Sequence, residues 1–113
     1  MATTPLTPIV SAFNLTTDWQ TLYTVDGNIK RIGIDAAVFN NYSTNKIEFS
    51  VRLVQSGTAT DLNEIITDKN IRAGGNDLSP AMIGQSVILG GKIQAKVSAN
   101  GAVNVNITAT IVT

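Results

Sequence analysis

The sequence predicts an all-β fold: an antiparallel β-sandwich of jelly-roll type, with about seven to nine strands and no substantial helix. Three observations predict it. Residues 92–113 alternate apolar and polar side chains with period two. Short alternating stretches recur upstream, and turn signals rich in Gly, Asn and Asp separate them. No stretch carries a convincing helical period.

The alternation is cleanest at the C-terminal end. Ile93, Ala95 and Val97, then Val103, Val105, Ile107, Ala109 and Ile111, share one face. Lys92, Gln94, Lys96 and Ser98, then Asn104, Asn106, Thr108 and Thr110, share the other. A two-residue Asn100-Gly101 turn would set core residues against solvent-facing ones across the whole pair. A three-residue loop, Ala99-Asn100-Gly101, pairs Val97 with Val103, Ala95 with Val105 and Ile93 with Ile107. That loop needs a left-handed residue at its end, where Gly101 stands. The expectation is a bulged hairpin.

The remaining elements follow in order. Residues 1–8 carry Pro5 and Pro8 among threonines and read as an extended N-terminal arm, leaving 9–113 as a single sandwich domain. Ile9 to Leu15 is a first strand. Asp18 to Val25 follows, with Trp19, Tyr23 and Val25 on one face, and ends at the turn Asp26-Gly27-Asn28. Ile29 to Asn40 is a long strand with Ile32, Ile34, Ala36 and Val38 inward. Lys46 to Gln55 turns Ile47, Phe49, Val51 and Leu53 inward and is its expected hairpin partner. Leu62, Ile65 and Ile66 fit one helical turn, whereas Ile65, Thr67, Lys69 and Ile71 fit a strand, which is the reading favoured here. Pro80 argues against a central strand nearby, and Val87 to Leu89 is a short apolar run ending at Gly90-Gly91.

Composition excludes much chemistry. The 113 residues contain no cysteine and no histidine. Disulfides, thiolate or imidazole zinc sites, and nucleophiles activated by histidine are therefore ruled out. Charged residues are 14% of the chain and sum to zero, against about 25% in ordinary soluble domains. Such a surface has no field to attract a phosphate backbone, so no nucleic-acid partner is expected. No basic start with a long apolar core opens the chain, and no apolar run approaches membrane-spanning length. Aromatic residues, at 5%, are too few for the girdles of an outer-membrane barrel. Near-zero net charge favours association.

Candidate sites are few. Asp61, Glu64 and Asp68 are the one carboxylate cluster, and on a helix they would approach one face. Solvated charges are the plainer reading. Asp26-Gly27-Asn28 and Gly75-Asn76-Asp77 lack the alternating ligand pattern of a calcium loop and read as turns. Trp19, Tyr23 and Tyr42 could form a sugar-stacking platform, although an apolar strand face is more often core.

Three stretches in order carry a resemblance. They are Leu22-Tyr23-Thr24 with the Gly27 turn and Lys30-Arg31-Ile32-Gly33-Ile34; the strand IEFSVRLVQSG; and the ending SVILGGKIQAKVSANGAVNVNITATIVT. Together they resemble small β-sandwich virion proteins of tailed bacteriophages, of the capsid decoration, neck, fibre and tail type, from residue 19 onward. The resemblance implies a late virion protein made in the host cytoplasm and assembled as trimers or higher rings. It implies contact with the major capsid protein or other virion proteins, and it brings no catalytic residues. The expected function is a capsid decoration or cement protein. Alternatives are a neck, tail, baseplate or fibre component, or a glycan-binding module. No enzyme activity, cofactor, metal or membrane partner is expected. The candidate interface comprises Pro5 and Pro8 of the arm with Lys92, Lys96, Asn104 and Asn106 of the hairpin's outward face. Gly27, Asn100 and Gly101 define turns.

Overall fold

The computed structural model describes residues 2–113. Nine strands occur among them: β1 (Thr3–Asn14), β2 (Gln20–Thr24), β3 (Arg31–Asn41), β4 (Ile47–Val54), β5 (Glu64–Ile71), β6 (Asn76–Asp77), β7 (Ser86–Ile88), β8 (Lys92–Val97) and β9 (Val103–Val112). A single 3-10 turn, Asp61–Asn63, precedes β5. One sheet has the order β1-β9-β3, with β6 and β7 both on the far side of β3; the other runs β2-β8-β4-β5.

Every pairing is antiparallel and nested. β1 pairs β9, β2 pairs β8, β3 pairs β6 and β7, and β4 pairs β5. The chain is thus one long ribbon doubled back at the β4–β5 connection. It is wound so that β9 also meets β3 and β8 also meets β4. That winding is a jelly roll, with β6 and β7 as two pieces of one interrupted strand position.

The two expected hairpins are not hairpins. β8 and β9 lie in different sheets, and so do β3 and β4. In a sandwich both sheets turn their apolar residues to the same core, so alternation is identical for a hairpin and for a chain that arches between sheets. The register test selects a loop length but not a sheet. Backbone bonds show what replaces the hairpin: Val97 donates to Thr16 O (3.0 Å), Leu15 to Val103 O (3.0 Å) and Gly101 to Leu15 O (3.2 Å). The β1–β2 link lies against the β8–β9 link, and the two cross between sheets together.

Bulges correct two inward faces. In β3 the pairing with β9 shifts between Ile34 and Ala36. Ile32 and Ile34 are buried as expected, but beyond the bulge Ala37 and Phe39 are buried instead of Ala36 and Val38. One extra residue reverses every later side chain. The bulge residue Asp35 accepts hydrogen bonds from Thr110 Oγ1 (2.8 Å) and the Leu6 N–H (3.3 Å). A similar shift in β2 between Thr21 and Tyr23 buries Leu22 and leaves Trp19 half-exposed.

The N-terminal arm is extended, but it is also paired. Thr3 to Pro8 are the outer half of β1, joined to β9 from Thr3↔Val112 to Pro8↔Thr108. Pro5 and Pro8 are tolerated because β1 is an edge strand. In the middle of the chain the strand reading holds, and Leu62 of the short turn is exposed. The core fills the space between the sheets. Phe39 of β3 meets Phe49 of β4 across it, with ring centroids 4.4 Å apart, packed among Ile32, Ile34, Ile93, Ile107 and Met82. Such a pair contributes about 0.5–1.5 kcal/mol beyond its burial.

Candidate functional site

No metal-binding group of three His, Cys, Asp or Glu side chains exists among the described residues. Asp61, Glu64 and Asp68 do not share a helix: Asp61 opens the 3-10 turn, and the other two lie in β5. Asp68 is held by Ser50, whose hydroxyl donates to Asp68 Oδ1 (3.2 Å) and accepts from the Asp68 N–H (2.9 Å).

The four candidate interface residues of the C-terminal strands do not share a surface. Lys92 and Lys96 face outward from β8, whereas Asn104 and Asn106 face outward from β9 in the other sheet. The arch between the strands puts the two pairs on opposite sides of the sandwich. Both asparagines serve the fold. Asn104 Oδ1 accepts from Asn40 Nδ2 (3.2 Å), and Asn106 Oδ1 accepts from the Ala12 N–H (2.8 Å) where β1 bulges. Pro5 and Pro8 are exposed on the edge. Gly27 and Gly101 take left-handed backbone (φ 64° and 69°), while Asn100 Oδ1 accepts from the Thr17 N–H (2.8 Å) and ties the two arches.

Two surface features stand out. The first is an apolar trough of about 380 Å³ on the outer face of the β1-β9-β3 sheet, lined by Ala36, Val38, Leu78, Ile83, Asn106 and Thr108 with Ala37 at its floor. The β3 bulge creates it by turning Ala36 and Val38 outward. The segment between β6 and β7 supplies the wall: Met82 enters the core, while Leu78 and Ile83 are 65% and 50% exposed.

The second lies on the outer face of the opposite sheet. Arg52 of β4 places its guanidinium 4.1 Å from the centre of the Trp19 ring, and Lys96 of β8 places its ammonium 5.0 Å away. Arg52 Nε donates to Gln94 Oε1 (2.7 Å), and Gln94 Nε2 donates to Thr21 Oγ1 (3.0 Å). A chain of contacts from β2 through β8 to β4 therefore fixes the guanidinium. Beside Lys96 is a recess of about 220 Å³ lined by Thr17, Glu48, Ser50, Asp68 and Ser98.

The three aromatics weighed as a platform against a core reading occupy separate environments. Trp19 lies under its cations, Tyr23 packs against the core, and the Tyr42 hydroxyl donates to Asn14 Oδ1 (3.0 Å). Burial and then the Asp26 carboxylate raise the Tyr23 hydroxyl above its ordinary pKa. The sequence reading missed Arg52 as a site residue and Ala36 and Val38 as surface. For Arg52 the available signal was its outward place on a cleanly alternating strand; its nearness to Lys96 follows from the β4–β8 pairing, which alternation does not reveal.

No family model, curated protein or solved structure matches this chain.

Proposed function

We propose that the chain is a non-enzymatic structural subunit of a bacteriophage virion, a capsid decoration protein that clamps neighbouring shell subunits by buried area. The observation that carries this reading is the apolar trough, with Leu78 and Ile83 standing exposed above Ala36 and Val38. Contiguous apolar surface on an exposed sheet face fits a protein–protein contact. The jelly-roll architecture adds support by analogy of fold, since viral capsid domains use it widely. Zero net charge and few charged residues favour packing against copies of itself and against shell proteins. A neck, tail or fibre position would use the same surface.

The test is attachment. Ile83→Glu places a carboxylate in the trough at an exposed position and leaves the core intact. Particles lacking the chain should bind the wild-type protein and fail to bind this variant, while its circular dichroism is unchanged. Equal binding by the folded variant would contradict the reading.

A further inference from the structure

The geometry points to a second binding site: we propose that Trp19, Arg52 and Lys96 form the anchor for an acidic saccharide, a sugar carrying a carboxylate. Its place is the outer face of the β2-β8-β4-β5 sheet, opposite the trough, so it is independent of shell attachment. Arg52 and Lys96 approach the same ring at 4.1 and 5.0 Å. Neither is in an ion pair: the one salt bridge within 4.0 Å among the described residues joins Lys69 to Asp77. Glu64 stands opposite Arg52 in the β4–β5 ladder, yet the guanidinium lies over Trp19 instead. Because Gln94 occupies only Nε, the two terminal nitrogens of Arg52 remain as a fork suited to a carboxylate. Indole and glutamine hold the fork in place, so little side-chain freedom is lost when an anion binds.

The recess beside Lys96 decides between classes of anion. Its lining combines the hydroxyls of Thr17, Ser50 and Ser98 with the carboxylates of Glu48 and Asp68. A polyanion such as an acidic peptide or a nucleic acid would bring further negative charge against Glu48 and Asp68. A uronic or sialic acid brings a single carboxylate to Arg52 and Lys96, and its hydroxyls can donate to those same acids.

The experiment is a glycan array of uronate-containing, sialylated and neutral oligosaccharides probed with the labelled full chain, followed by titration of Trp19 fluorescence with the best ligand. Acidic members should bind and neutral ones should not, and binding should fall between about 50 mM and about 500 mM salt. Arg52→Gln and Lys96→Gln should each weaken binding about tenfold or more, the scale of a hydrogen bond between charged partners. Glu48→Gln with Asp68→Asn should weaken it too, since the sugar hydroxyls lose acceptors. Silence from every acidic glycan, or binding unchanged in the Arg52 and Lys96 variants, would overturn the proposal. Polyglutamate or oligonucleotide binding that strengthens in the Glu48 and Asp68 variant would assign the site to a polyanion and overturn it equally.

Discussion

At the scale of single residues, backbone geometry and close packing separate glycines that look alike in the sequence. A Cβ on Gly91 would sit 2.7 Å from Val87 Cγ1 and 2.9 Å from the carbonyl oxygens of Ile88 and Val54. Two of those three neighbours are backbone, so Gly91→Ala should cost about 1–3 kcal/mol through overpacking. Gly101 has open space but a φ of 69°, so Gly101→Ala should cost about 1 kcal/mol from the left-handed backbone alone. Urea unfolding should rank the two in that order, and the reverse ranking would contradict the packing argument. Tyr23 gives a pH test. Its hydroxyl is raised above 10.0 by burial first and by Asp26 second, so the folded chain keeps the proton longer than the unfolded chain. The resulting stability is full below 10.0 and is lost as pH rises through the higher folded value. Melting curves across that alkaline range should decline more steeply for the wild type than for Tyr23→Phe, and parallel curves would contradict it. Other residue roles were invisible in the sequence. Asn41 is buried at the end of β3, and its Nδ2 lies within hydrogen-bond reach of the carbonyls of Asn45 (2.8 Å), Ile71 (3.0 Å) and Arg72 (3.2 Å). Only the folded chain brings those carbonyls together.

At the scale of elements, the strands were legible and their partners were not. Period-two alternation located β4, β8 and β9 because each buries one face. It could not tell a hairpin from an arch, because both sheets face the same core. The bulge at Asp35 was equally hidden: nothing in the run Ile34-Asp35-Ala36-Ala37-Val38 marks where the alternation slips by one. That slip moved Ala36 and Val38 from expected core to the trough, so the candidate contact surface arose where the alternation broke. The N-terminal segment behaves as an edge strand with three register shifts and two non-glycine residues, Leu6 and Ala12, at positive φ. Such shifts and prolines blunt an edge against unwanted pairing. Deleting residues 2–8 should therefore lower stability modestly, because most of that stretch is exposed. It should also uncover the edge of β9 from Thr108 to Val112 and promote aggregation. Light scattering and urea unfolding together check this. A truncated chain with wild-type stability and solubility would show that the pairing contributes nothing.

At the scale of the molecule, a flat jelly roll with extents of 46 × 28 × 19 Å presents two broad and dissimilar faces. One carries the apolar trough and the other the Trp19, Arg52 and Lys96 cluster, so the two proposed contacts lie on opposite faces. The sequence contains no histidine and no cysteine, so imidazole and thiolate chemistry have no side chain here to carry them. The division of the surface was not legible, because it depends on which sheet each strand joins. The proposed role as a virion decoration subunit is tested by the copy number of this chain per purified particle. Quantitative mass spectrometry against the major capsid protein should find the two in comparable, lattice-filling numbers. A few copies per particle would place the chain at the neck, tail or fibre and contradict the decoration role, and absence from the particle would contradict the virion reading altogether.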